Sequence, residues 1–221
     1  MIVVIGQPVL MRVEGNPVAT GSAARIALTA AARGAAVQLI GKVGDDPDGE
    51  ALVLALAQGH IGHVAVLRDL AHRTPVKVDD ADSIDEKLTE ADELATNGGL
   101  PAGDRADRPA LDAGDVELGL RYLTEFSVVV VADELDEKAL RVAADAAGWN
   151  NGTLVAVVPD GRPEPVGLPP DAIVLGAPGV DADGVFDRLV GQLAAAIDAG
   201  ADPRAAFREA VAGAGWEPAE P

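Results

Sequence analysis

Cysteine is absent from the 221-residue sequence, and aromatic residues make up only 3% of it. The lack of cysteine excludes disulfide bonds, thiolate zinc sites and cysteine nucleophiles. No apolar run approaches the length of a membrane span. Residues 1–10 have no basic segment followed by a long apolar stretch, so the sequence predicts no signal peptide and a cytoplasmic location.

Positive charge is scarce. Lys and Arg number 17 against 36 Asp and Glu, which gives a formal net charge of −19. Because such a surface repels phosphate backbones and anionic lipids, we expect no nucleic-acid partner and no membrane partner. At 48% hydrophobic residues, the chain is long enough to bury one sizeable core, and one domain over residues 1–221 is the prediction.

Several short motifs of common enzyme classes are also missing. No G-x-G-x-x-G follows the first apolar run, no Walker-type G-x-x-x-x-G-K-[ST] occurs, and no G-x-S-x-G is present. These absences count against a dinucleotide-binding domain, a P-loop NTPase and an α/β-hydrolase. His60 and His63 lack a third ligand nearby in sequence, so no metal site is predicted.

Short β-branched runs alternate with helical periodicity along most of the chain, which favours a mainly parallel sheet with helices packed on it. Met11–Val18 is polar enough for an edge strand or a hairpin. The predicted strands are Ile2–Ile5, Val37–Ile40, Val64–Leu67, Val128–Ala132, Leu154–Val158 and Ala172–Leu175. The predicted helices begin at Gly21 (ending near Gly34) and span Glu50–Gln58, Val116–Glu125, Asp136–Ala147, Phe186–Ala199 and Pro203–Ala212.

Residues 79–115 differ in character from the rest. Acidic residues crowd there, and glycine and proline cluster at Gly98–Gly103. A capping box at Ser83 and Glu86 predicts one helix that reaches Leu94. We therefore expect residues 79–115 to be an acidic insertion or a flexible loop within the single domain.

The stretch Thr20–Glu50 carries a family resemblance. It contains T-G-S-A-A-R-I-A, then R-G-A at Arg33–Ala35, then G-K-V-G-D-D-P-D-G at Gly41–Gly49. In order and spacing this is similar to the first motif of the PfkB carbohydrate kinases, which reads loosely G-G-x-x-x-N-x-A, L-G-A and G-x-V-G-x-D-x-x-G.

A second resemblance lies near the C-terminus, where Asp181–Leu193 reads D-A-D-G-V-F-D-R-L-V-G-Q-L. It resembles the family's catalytic motif, D-T-x-G-A-G-D-x-F-x-G-x-L, without a gap. The resemblance implies a ribokinase-like three-layer α/β sandwich with a mainly parallel central sheet. It also implies a small β lid built from Met11–Val18 and Thr74–Val78.

In such kinases the aspartate that ends G-A-G-D is the base, and the resemblance gives this role to Asp187. It gives the anion hole for ATP, with Mg²⁺, to Gly184, Val185 and Phe186. Three further residues align with positions on the family's substrate side and are the predicted contacts of a sugar or nucleoside: Gly21, Arg25 and Gly41.

The sequence departs from the family at each centre. Phe186 replaces the second glycine of the anion hole, where we expect its ring to obstruct a phosphate, and Arg25 replaces a sugar-binding asparagine. No aspartate follows the first strand, and only Gly176–Val180 separates the last predicted strand from Asp181. A metal-associated N-x-x-E element and much of the nucleotide side are therefore missing.

Two hypotheses follow from these departures. One is an ATP-dependent kinase for a sugar or nucleoside hydroxyl, with weak or lost activity. The other is a noncatalytic pseudokinase that keeps the fold for ligand binding or assembly. In either case, lid edge strands predict a homodimer.

Individual residues also have structural alternatives. Asp187 at the start of a helix serves either as a base or as a carboxylate that complements the helix dipole. The small residues Gly21–Ala24 permit either close packing on the sheet or an anion site beside Arg25. For the loop Gly41–Gly49, a tight turn with aspartates as caps is favoured over metal binding, because the full calcium-loop pattern is absent.

Overall fold

The computed structural model describes residues 1–77, 108–181 and 183–214. Ten strands and six helices form in these residues and alternate along much of the chain. The strands are β1 Ile2–Ile5, β2 Val9–Val13, β3 Asn16–Thr20, β4 Val37–Gly44, β5 Ile61–Gly62, β6 Val66–Asp69, β7 Val76–Lys77, β8 Val128–Val131, β9 Thr153–Val158 and β10 Ile173–Gly176. The helices are α1 Ser22–Ala32, α2 Pro47–Gln58, α3 Ala113–Arg121, α4 Glu137–Trp149, α5 Val185–Asp198 and α6 Pro203–Ala214.

The central sheet is parallel and has the strand order β10-β9-β8-β1-β4-β5, with β6 pairing further along β4. Ile2 of β1 lies between Val37 of β4 and Val128 of β8. All four residues of β1 and of β8 are buried. This burial on both faces explains why these strands are unbroken apolar runs, as the sequence predicts.

Helices cover both faces of the sheet. Val4 of β1 points to the side packed by α1, α2, α5 and α6, in a cluster that includes Ile26 and Leu193. Its neighbour Val3 points to the side packed by α3 and α4, in a cluster that includes Leu140. Alternating side chains thus supply two cores, and the predicted three-layer α/β sandwich is confirmed.

A second, smaller sheet has the order β3-β2-β7. β2 and β3 form an antiparallel hairpin, and β7 pairs in parallel with β2. Glu14 and Gly15 turn the hairpin with positive φ angles of 50° and 81°. We call this three-stranded sheet the lid; its strands agree with the predicted lid up to Lys77, and Val78 lies outside the described residues.

The loop before α2 connects that helix to the lid. Asp46 is the N-cap of α2 and accepts a hydrogen bond from the Gly49 N–H at 2.7 Å. It also accepts from the N–H of Thr74 at 2.9 Å and from its hydroxyl at 2.7 Å. The predicted turn with an aspartate cap is confirmed, and the same carboxylate holds the chain just before β7.

Some boundaries differ from the prediction. β4 continues through Gly44, so half of the predicted loop is strand, paired with β6. α3 begins at Ala113, because Asp112 and Asp115 form a capping box inside the predicted insertion. The predicted helix from Ser83 lies outside the described residues. Among the helices of the described segments, none combines the length and the apolarity that crossing a membrane requires.

Candidate functional site

The carboxyl ends of the parallel strands carry the polar residues of the candidate site. β1 leads into Gly6 and Gln7, and the neighbouring strand β8 leads into Asp133. The Gln7 N–H donates to the Asp133 carboxylate at 2.6 Å, which holds the two strand ends together. In open α/β sheets ligands bind at this edge.

Close packing of α1 against α5 brings the predicted site residues together. A Cβ atom at Gly191 of α5 would lie 2.7 Å from the Ile26 carbonyl oxygen and 2.7 Å from Thr29 Cβ of α1. Only glycine permits this approach. Asp187 lies four residues before Gly191 on α5, and Arg25 lies four residues before Thr29 on α1. Both residues are therefore one helical turn before this contact.

Arg25 and Asp187 form an ion pair. The Arg25 Nε donates to Asp187 Oδ2 at 2.7 Å, and the Ser22 hydroxyl donates to the same carboxylate. The Asp187 side chain is only 3% exposed and that of Arg25 is 26% exposed. Burial raises the pKa of Asp187 above its usual value, although Arg25 and Ser22 oppose this rise.

Asp181 occupies the N-terminus of α5. Its two carboxylate oxygens accept hydrogen bonds from the N–H groups of Phe186 and Asp187, each at 3.2 Å. Gly184, the N-cap, has φ 64°, and a Cβ there would lie 3.1 Å from Arg25 Cδ. Of the residues predicted to form the anion hole, Phe186 thus has its N–H engaged by the Asp181 carboxylate and Gly184 has its N–H bound to the Asp181 carbonyl oxygen. This arrangement does not fit a bound nucleotide phosphate unless Asp181 moves.

The expected obstruction by the Phe186 ring is wrong. Phe186 lies within the regular first turn of α5, and its side chain is buried in the core beside Leu189 and Val190. A large apolar side chain gains more from the core than from the polar strand edge. What departs from the predicted anion hole is the hydrogen bonding of Asp181.

The predicted substrate glycines have close-packed surroundings. Gly21 is the N-cap of α1, with φ 83°, and a Cβ there would lie 3.0 Å from Val9 Cγ2. A Cβ on Gly41 would lie 2.9 Å from the Gly6 carbonyl oxygen and 2.9 Å from Pro8 Cδ. Both glycines thus allow the segment that joins β1 to the lid to pack closely, and their contact with a substrate stays a prediction.

Asp133 is a site residue that sequence reasoning missed. Burial raises its pKa to about 6; the hydrogen bond from Gln7 opposes this rise and the charge of Asp187 adds to it. The available signal was its position directly after the buried run Val128–Ala132, at the carboxyl end of a strand. Asp133 therefore belongs to the same electrostatic cluster as Arg25 and Asp187.

A groove of about 390 Å³ opens beyond β9 and β10. Asp160, Arg162 and Glu164 line it together with the backbone at Gly176. Only the short segment 177–184 connects β10 to α5. Among the described strands, β10 lies at one edge of the central sheet. Within the described residues, no group of three or more histidine or acidic side chains is arranged to hold a metal ion.

No protein-family model and no curated protein sequence matches the chain. Solved structures do match. The protein Sa239 has a TM-score of 0.65 at 13% identity over 99% of this chain and 95% of its own. A PfkB protein from Polaromonas sp. JS666 has a TM-score of 0.63 at 13% identity over 95% and 92%. A protein assigned as ribokinase II from E. coli, solved with ATP and Mg²⁺, has a TM-score of 0.60 at 14% identity over 95% and 89%.

At these identities the likeness concerns the fold. It agrees with the parallel central sheet and the helices on both of its faces described above. The chain has the α/β fold of ribokinase-like, PfkB-type sugar kinases.

Proposed function

We propose that this chain is a homologue of the ribokinase-like sugar kinases in which phosphoryl transfer is weak or lost and ligand binding is retained. The observation that carries the proposal is the ion pair between Arg25 and Asp187. Arg25 stands where the related motif has an asparagine, so an amide that accepts and donates hydrogen bonds is replaced by a permanent cation.

The ion pair acts against Asp187 as a base. A catalytic base takes a proton from the attacking hydroxyl, and a bound guanidinium stabilises the carboxylate and lowers its affinity for that proton. The Asp187 side chain is also 3% exposed, so a substrate hydroxyl reaches it only after Arg25 moves. Both effects reduce the rate of phosphoryl transfer.

An ADP-release assay with Mg·ATP and a panel of neutral sugars and nucleosides tests this proposal. We expect the wild-type chain to release ADP no faster than Asp187→Asn. We expect Arg25→Asn to increase turnover, because it frees the carboxylate, whereas the matched change of the exposed Arg33 to Asn has no effect. Wild-type turnover of about 1–100 per second, the usual range of kinases, that Asp187→Asn abolishes would contradict the proposal.

The second candidate function is an active ATP-dependent kinase for a sugar or nucleoside hydroxyl. The position of Asp187 in the first turn of α5, together with its raised pKa, favours this candidate, because a more basic carboxylate is a better proton acceptor. ATP and Mg²⁺ would then be the cofactors, and Asp181 would release the N–H groups of Phe186 and Asp187. The same assay separates the two candidates.

We also infer a homodimer formed through the lid. Among the residues that the structure describes, β3 and β7 are the outer strands of the lid sheet, and exposed strand edges favour pairing with another chain. Val18 of β3 is 36% exposed. Light scattering is expected to give twice the chain mass for the wild type and the chain mass for Val18→Lys. A wild-type monomer at micromolar concentration would overturn this inference.

A further inference from the structure

The Arg25 side chain has hydrogen-bonding capacity that the ion pair does not use. A guanidinium carries five N–H donors in a planar fork, and only the Nε–H is directed to Asp187. In the parts of the chain that the structure describes, no protein acceptor lies within hydrogen-bond distance of the two Nη groups. With its side chain 26% exposed, Arg25 can present these donors to a ligand.

Resting on the proposed function as a ligand-binding protein, we propose that the ligand of this site is a polyhydroxylated molecule that carries an oxyanion. The oxyanion, a carboxylate or a phosphate monoester, binds the Nη groups of Arg25. Guanidinium binds both groups through two parallel hydrogen bonds, which neutral hydroxyls do not match in strength. Arg25 thereby determines specificity at this site.

The hydroxyl groups of this ligand are assigned to two hydrogen-bond acceptors, one on Gln7 and one on Asp133. Gln7 Oε1 is buried and accepts no hydrogen bond from any residue that the structure describes, while the Gln7 Nε2 donates to the Lys42 carbonyl oxygen. A buried acceptor of this kind costs free energy unless a donor reaches it. Asp133 adds a second acceptor from the adjacent strand end. A ligand hydroxyl binds Gln7 Oε1 once the Gln7 side chain turns from its buried position.

The charges around Arg25 permit an anion. The charge of Arg25 is balanced by Asp187, so the added oxyanion is held by the fork geometry of the Nη donors and not by a net positive charge. Two N–H donors of α5 stabilise the charge of Asp181. Asp133 is the remaining carboxylate of the cluster, and because its pKa is raised to about 6, an approaching anion favours its protonation. α1 begins at Gly21 without a side-chain cap and has no acidic residue in its first turn.

Calorimetric titration with D-glucose, D-gluconate and D-glucose 6-phosphate tests the proposal. We expect one or both anionic compounds to bind the wild type about tenfold or more tightly than glucose, as a charge-assisted pair predicts. Arg25→Asn should remove this preference. Arg25→Lys should keep it with reduced affinity, since the charge stays and the fork is lost. Arg33→Asn, a change of an exposed arginine, should match the wild type.

Comparison of the two anionic compounds shows whether the carboxylate or the phosphate is preferred. Equal binding of glucose and both anions overturns the proposal, as does the absence of binding by either anion to the folded wild type. Melting temperatures measured on every variant separate loss of binding from loss of folding. Turnover with Mg·ATP at about 1–100 per second, the usual range of kinases, would contradict the proposed function and leave the anion preference standing, so the two failures are distinguishable.

Discussion

An aspartate lies at the N-terminus of α2 and another at the N-terminus of α5, and the two carboxylates have different roles. At α2, Asp46 caps its own helix through Gly49 and also binds Thr74 of the chain before the lid. At α5, Asp187 lies inside the first turn and pairs with Arg25 on another helix. Both are aspartates at the start of a helix on the same side of the sheet.

Their pKa values move in opposite directions. Burial raises the pKa of Asp46, but hydrogen bonds from Thr74 and Gly49 outweigh it and leave the pKa below the usual 3.8. For Asp187 burial outweighs Arg25 and Ser22, and the pKa is raised. The comparison teaches that hydrogen bonds can outweigh the burial of a carboxylate, as at Asp46, whereas at the more deeply buried Asp187 one guanidinium and one hydroxyl do not.

Removal of Arg25, the cation on α1 that pairs with Asp187 of α5, is expected to have the largest effect. Arg25→Leu leaves Asp187 buried without its partner, which should lower the free energy of unfolding by about 3 kcal/mol at neutral pH. Urea denaturation measures this. The double variant Arg25→Leu with Asp187→Asn should recover most of the loss; a double variant as unstable as Arg25→Leu would show that Arg25 stabilises by packing alone.

Removal of the cap at α2 is expected to have an intermediate effect. Asp46→Ala deletes the N-cap and both bonds to Thr74, so we expect a loss of about 2 kcal/mol in thermal or urea unfolding. Because the folded pKa is lowered, this contribution is present at neutral pH and is lost as the pH falls below about 4. Asp48→Ala, which removes only the half-exposed ion pair between the same helix and Arg12 of β2, is the control and should change stability by under about 1 kcal/mol.

Substitution of Asp133 is expected to have an effect of the opposite sign. Its folded pKa of about 6 lies above the usual 3.8, so the folded state binds the proton more tightly and stability falls as the pH rises from about 4 to about 6. Asp133→Asn should therefore stabilise the fold at pH 7 by up to about 3 kcal/mol, which is the free energy of a shift of about two pKa units, and by little at pH 4. Equal effects at both pH values would contradict the raised pKa.

Much of the fold was predictable, because the strands that carry it are buried on both faces. Ile2–Ile5 and the run from Val128 are β-branched without interruption, which leaves little alternative to a central parallel strand. Helix ends marked by local chemistry were also found: Asp136 caps α4, and Gly34 with φ 88° follows α1. The end of β4 was missed since Gly41–Gly44 pair with β6, a contact between distant residues.

The candidate site was predictable only in part. The motif resemblance placed Arg25 and Asp187 in one site, but their direct ion pair depends on the distance between α1 and α5, which no local pattern encodes. Phe186 was assigned to the anion hole from its position in the motif, whereas its side chain faces the core. Asp133 was missed because a single aspartate after a strand has no motif of its own.

Gly191 has a consequence for how the site can change over generations. It touches no candidate ligand group, yet a Cβ at this position would lie 2.7 Å from the Ile26 carbonyl oxygen and would force the two helices apart. A wider gap would carry Asp187 beyond the reach of Arg25, whatever residues stood at the strand edge. The absence of a side chain at Gly191 thus keeps Asp187 within reach of Arg25. Selection on this ion pair therefore also acts on a residue outside the candidate site.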